Sequence, residues 1–228
     1  MNHRIFVFMI FILSFLIGCD EDKITNPGII KNGTVQIGAQ VWMLKNLNVN
    51  HYRNGDSIPE VRDSTQWENL TTGAWCYYNN DPAMGEIFGK LYNWYAVNDS
   101  RGLAPDGWHV PNDLEWTILV DYLGGGIVSG GKMKEIGTTH WNHPNTGATN
   151  FSNYSALPGG ERYTNSIPGG EHFSNTVYSE IGSNCYWWTS VEDGDITAIH
   201  WYLKYDTPYT EDNSRLKTTG FSVRCIKD

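Results

Sequence analysis

The stretch GLAPDGWHVPNDLEW, residues 102–116, sets one His, three acids and two Trp in a segment bounded by Gly and Pro. Its reading decides the fold around it. Asn112 follows Pro111 as a natural N-cap, and Glu115, three residues on, can return a carboxylate to the cap amide as in a capping box. Leu114, Ile118, Leu119 and Tyr122 then supply an apolar stripe, and the glycines at 124–126 stop the helix. Asp113 and Glu115 in the first turn also suit the helix dipole. The spacing predicts a helix entrance rather than an active site. His109 lies beside Trp108 with no second His or Cys at ligand spacing, so it reads as a hydrogen-bonded boundary residue.

Upstream, Val35 and Ile37 alternate with polar neighbours, Gly38 breaks the run, and Val41 and Met43 resume it, the pattern of a hairpin. GAWCYY (73–78) reads as a strand with Ala74, Cys76 and Tyr78 on one face. EIFGKLYNWYAVND (86–99) reads as a short helix through Leu91, Trp94 and Tyr95. Downstream, residues 124–228 change character: Gly, Asn, Ser and Thr dominate, and LPGGERY at 157 is echoed by IPGGEHF at 167. A long loop-rich excursion is expected there, closed by three strands. These are CYWWTS (185–190), AIHWYLKY (198–205) with Ile199, Trp201, Leu203 and Tyr205 on one face, and GFSVRCI (220–226). In the last, Phe221, Val223 and Cys225 are expected inward, with Ser222 and Arg224 outward. Trp94, Trp108, Trp116, Trp187 and Trp201 fall on these elements and are expected in the core.

Residues 1–18, MNHRIFVFMIFILSFLIG, have a basic start and an apolar run too short for a confident membrane span, the proportions of a secretory signal. The LIGC that ends the run resembles a bacterial lipobox, which makes Cys19 the lipidated residue. Each buried acyl methylene contributes about 0.8 kcal/mol, so several chains attach it to a membrane for good. The acidic run at 20–22 resembles the surface-export signal of Bacteroidetes-type lipoproteins. Residues 19–32 are expected to be the lipidated Cys and tether, and residues 33–228 the domain. The chain is thus expected to be exported and lipid-anchored to the cell envelope, in the outer membrane and at the cell surface. A formal charge of −9, with no Lys/Arg cluster along the sequence, argues against nucleic acid. Three cysteines remain in an oxidising compartment, enough for one disulfide: Cys76 with Cys225 is favoured, with Cys185 the alternative.

Five co-linear motifs, GEIFGKLYNWYAVND, GLAPDGWHVPNDLEW, GATNFSNYSALPGGER, YWWTSVE and GFSVRCIKD, resemble the Fibrobacter succinogenes major paralogous domain. Their layout is distantly similar to that of the sulfatase-modifying, formylglycine-generating enzymes. That resemblance implies an α+β, C-type-lectin-like fold, with two short helices flanking a small antiparallel β-sheet and a long loop-rich insertion. Those enzymes hold copper with a cysteine pair, and related enzymes hold iron with three histidines. Here the cysteines are far apart in sequence, and His140 and His143 would need a distant third ligand. No G-x-S-x-G or HExxH motif is present, and Glu161, Glu171 and Glu192 are unconvincing as a carboxylate pair. No enzyme is expected.

Binding is the more natural expectation, because aromatics make up 14% of the chain and present large contact area at little entropic cost. Trp141, Tyr154, Tyr163, Phe173 and Tyr178, placed on loops, are the candidate ligand-binding residues. Calcium is a familiar accessory of lectin-like loops, and Glu192, Asp193 and Asp195 are its weak candidate ligands; solvated acidic turns are the better expectation there and at Glu211, Asp212 and Asn213. No other cofactor is expected. The sequence thus describes a surface-exposed lipoprotein binding module that recognises a polysaccharide or a protein partner. A structural or assembly lipoprotein docking into a larger envelope complex is the alternative, and an unrecognised enzyme related to sulfatase-modifying factors a minor one.

Overall fold

The computed structural model describes residues 28–163 and 177–228. The expected signal segment, Cys19 and most of the tether lie outside the described residues, as does Phe173. The strands are β1 (Ile29–Lys31), β2 (Thr34–Ile37), β3 (Gln40–Met43), β4 (Trp75–Cys76), β5 (Leu91–Tyr92) and β6 (Trp108–His109), then β7 (Gly159–Tyr163), β8 (Val177–Ile181), β9 (Asn184–Glu192), β10 (Thr197–Lys204), β11 (Thr210–Leu216) and β12 (Ile226–Lys227). The helices are α1 (Ser64–Glu68), α2 (Pro82–Phe88), α3 (Trp94–Val97), α4 (Asp113–Tyr122) and α5 (Gly126–Met133). The chain is therefore α+β, with antiparallel sheets. A five-stranded sheet has the order β1-β2-β3-β12-β6, a three-stranded sheet the order β11-β10-β9, and β4–β5 and β7–β8 form separate pairs. Because Ile29–Lys31 form β1, the sheet takes in residues expected to belong to the tether.

The 34–43 hairpin forms as expected, but its second strand faces the other way. The two-residue turn at 38–39 sets Ile37 opposite Gln40 and Val35 opposite Trp42. Paired residues share a face, so Trp42, not Val41 or Met43, is the buried member. The helix expected over 86–99 is divided. Gly89, at φ 79, ends α2, Leu91 and Tyr92 pair with Cys76 and Trp75, and Asn93 caps α3.

Helix α4 begins at the expected capping box. Asn112 Oδ1 accepts from the Glu115 amide at 2.9 Å, and Glu115 Oε2 accepts from the Asn112 amide at 2.8 Å. Its buried face is Trp116, Leu119, Val120 and Leu123, while Leu114 and Ile118 are exposed. Both sets have helical spacing; the larger Trp116 ring wins the core, stacked 6.0 Å from Trp201 and 5.1 Å from Trp42. Gly124 and Gly125 end α4 with positive φ, and Gly126 opens α5 inside the segment expected to be loop. Gly130 and Gly131 let α5 lie against backbone: a Cβ there would stand 2.2 Å from Tyr209 O and 2.3 Å from Gly147 O.

Three apolar clusters form the core. Segment 220–225, expected to be a strand, makes only isolated bridges at Gly220, Phe221 and Ser222 and runs between the first two. Phe221, Val223 and Cys225 face the first cluster as expected, but Ser222 and Arg224 are buried as well, which corrects their outward assignment. Arg224 stacks 4.2 Å over Tyr154 of the second cluster and donates to Tyr154 O and Asn46 Oδ1. The expected disulfide is also corrected. Cys76, Cys185 and Cys225 are free, buried thiols, and each sits in a different cluster.

Candidate functional site

Among the described residues, the aromatics proposed for binding do not assemble into a platform. Trp141 and Tyr154 are core residues, 1% and 0% exposed, so neither ring can meet a ligand. Tyr163 is half-buried beneath the Arg215 guanidinium, and Tyr178 packs on Tyr78 and donates to Asn80 Oδ1 at 2.8 Å. The calcium candidates have other partners. Glu192 pairs with Lys217, the Asp193 carboxylate accepts from Ser214 Oγ, and Asp195 O accepts from Lys217 Nζ. Among the described residues, no group of three or more His, Cys, Asp or Glu is disposed to hold a metal ion.

The carboxylates weighed for glycosidase chemistry do not form an obvious pair. Glu161 lies opposite Ser179 on β8, its Oε1 3.6 Å from Arg215, and Glu192 is committed to Lys217. Burial raises the Glu161 pKa, Arg215 opposing and Glu180 adding to the rise. Glu171 lies outside the described residues.

The open feature is the outer face of the five-stranded sheet. Register fixes which residues share it. Ile29 pairs with Gln36, Gln36 with Val41, and Lys227 with Trp108; one pleat along, Lys31 pairs with Thr34 and Thr34 with Met43. The opposite face carries Val35, Ile37, Trp42 and Ile226 into the second cluster. On the outer face lie two grooves that meet at Asn32 and Thr34. The larger, about 560 Å³, has Met43, Leu44, Leu47, Val49, Pro105 and Trp108 in its lining; the smaller, about 360 Å³, lies between Ile29, Lys31 and Lys227.

Trp108, expected in the core, is only partly buried here, packed against the edge of the first cluster. The backbone around it is braced from outside the 102–116 segment. Arg53 donates to Ala104 O at 2.9 Å and to Trp108 O at 2.7 Å, bracing the loop that leads into β6. Next in sequence, His109 turns to the other face, its ring bonded to Asp228 at 2.7 Å and to Glu115 at 2.8 Å. Partial burial works against the charged ring, but the two carboxylates outweigh it and hold the His109 pKa above its ordinary value. His109 is thus the hydrogen-bonded boundary residue its context suggested. Asn46, in the groove lining, is a structural anchor whose Oδ1 accepts from Trp187 Nε1 and Arg224 Nε.

One local signal for this face is Asn32-Gly33, both at positive φ, the two-residue turn that pairs β1 with β2. Nothing local marks Lys227 or Trp108 as neighbours.

The described residues thus form an antiparallel α+β domain whose outer sheet face is only partly covered, by the first cluster at Met43 and Trp108. The chain belongs to the Fibrobacter succinogenes major domain family, whose model matches residues 35–227. No curated protein and no solved structure matches it. None of the helices in the described residues is long and apolar enough to cross a membrane.

Proposed function

We propose that this chain is a non-catalytic binding module, lipid-anchored at Cys19 and exposed on the bacterial cell envelope, that recognises a polysaccharide. The carrying observation is the outer groove: the partly buried Trp108 ring stands in an apolar lining of Met43, Leu47, Val49 and Pro105, with Asn32 and Thr34 at the rim. A flat ring beside hydroxyl and amide groups suits a sugar, which offers an apolar face and a hydroxyl edge. The fold is read as C-type-lectin-like. Supporting that reading are the long β9–β11 sheet, the two helices α4 and α5, and the pairing of β12 with β3, which brings distant parts of the chain together.

The test is retention of the full-length protein on a panel of neutral and acidic polysaccharides. Trp108→Ala should lose retention while the protein stays folded and still melts cooperatively. A folded wild-type protein that no polysaccharide retains, but that copurifies with an envelope protein, would favour the structural or assembly reading instead.

A further inference from the structure

The outer sheet face also carries a charge pattern that a neutral ligand would not need. Lys31, Lys45 and Lys227 are exposed, and none has a hydrogen-bond, ion-pair or aromatic partner among the described residues. Every other described Lys or Arg forms an ion pair or donates to a carbonyl or amide oxygen. The three unpartnered cations all line the two joined grooves, Lys45 the larger and Lys31 and Lys227 the smaller. Neither groove has an Asp or Glu in its lining, although acids outnumber bases by 25 to 16 along the chain. The acids next in sequence to lining residues are both engaged, Asp228 with His109 and Asp106 with Arg53 at 3.5 Å. Scattered in sequence, these lysines are gathered by strand order.

We infer that the outer sheet face takes an acidic polysaccharide, one bearing carboxylate or sulfate groups, whose anions meet Lys31, Lys45 and Lys227 while a sugar ring lies on Trp108. This rests on the polysaccharide-binding reading above and names the class of glycan. Unpaired ammonium groups in a trough without carboxylates attract anions and repel no part of an acidic chain. The amide and hydroxyl groups of Asn32, Thr34 and Gln36 beside the lysines favour a hydrated polymer, and the exposed Ile29 at the rim is too small an apolar patch to hold a lipid surface.

The experiment measures binding of the full-length protein to two matched pairs: polygalacturonate with its methyl ester, and dextran sulfate with dextran. Vesicles containing phosphatidylglycerol form a further arm. At least one charged polymer should bind tenfold or more tightly than its uncharged partner at low salt, and that preference should shrink as salt screens the lysines. The variant combining Lys31→Gln, Lys45→Gln and Lys227→Gln should lose the preference with an unchanged melting temperature. Equal binding of charged and uncharged partners, or a preference that survives in the triple variant, overturns the acidic-ligand inference and leaves polysaccharide binding standing. So does binding confined to neutral members of the wider panel. Binding to the vesicles alone overturns it in favour of a membrane surface, and silence towards every polymer overturns both readings together.

Discussion

Trp42 and Trp108 belong to the same five-stranded sheet and meet opposite fates. Trp42 on β3 is fully buried among Trp116 and Tyr154, whereas Trp108 on β6 is only partly buried, packed against the first cluster in the wall of an open groove. The residues are chemically identical, so the difference lies in the pleat: β12 joins the two strands and places them on opposite faces. One face is thus committed to stability and the other is left available for contact.

Replacing Trp42 should test that division most severely. Trp42→Ala should cost about 3–5 kcal/mol in denaturant unfolding, the usual loss for an indole removed from a packed core. A cost below about 1 kcal/mol would mean that the inner face is not the core. The three-stranded sheet supplies a comparison in which both faces are covered. His200 on β10 is 3% exposed, packed at a tilt against Phe221 at a centroid distance of 4.7 Å, and burial drives its pKa down from 6.5 to about 3. The folded protein keeps this ring neutral while the unfolded chain takes up a proton near pH 6.5, so acid favours unfolding. Stability should therefore fall as the pH drops from 6.5 towards 3, by up to ~1.4 kcal/mol per pH unit from this group, with no contribution above that window. His200→Phe should flatten that acid limb; an unchanged slope would place its origin elsewhere.

Smaller effects are expected at partly exposed positions. Trp108→Ala removes a ring only partly buried against the first cluster and should cost about 1–2 kcal/mol, well below Trp42→Ala, while abolishing retention on polysaccharide. Should Trp108→Ala unfold the protein as Trp42→Ala does, the two faces would not be functionally distinct. Asn112→Ala removes one half of the capping box and should cost about 1 kcal/mol, measurable as a lower unfolding midpoint.

Much of the fold is legible in the sequence where a signal is local. The capping box at Asn112 and Glu115 stands where its spacing places it, and the strands over 185–190 and 198–205 form β9 and β10. Legibility fails where two local patterns compete. Leu114 and Ile118 are as apolar as Trp116 and Leu119, and only packing against Trp42 and Trp201 chooses between the two stripes. It also fails for Arg224, whose charge implies solvent but whose guanidinium is held by Tyr154 and Asn46 between two apolar clusters. Loop aromatics were a poor guide to the site for a related reason: Trp141 and Tyr154 lie in loops that fold back over the core, which buries their rings.

By itself the sequence determined the family, the α+β class and the entrance to α4, because composition, motif order and capping are properties of neighbouring residues. Only the tertiary structure decided that Trp108 faces out, that the three cysteines stay apart, and that Lys31, Lys45 and Lys227 share one surface. Each of these depends on which strands pair and in what register, and strand pairing joins residues that are distant along the chain.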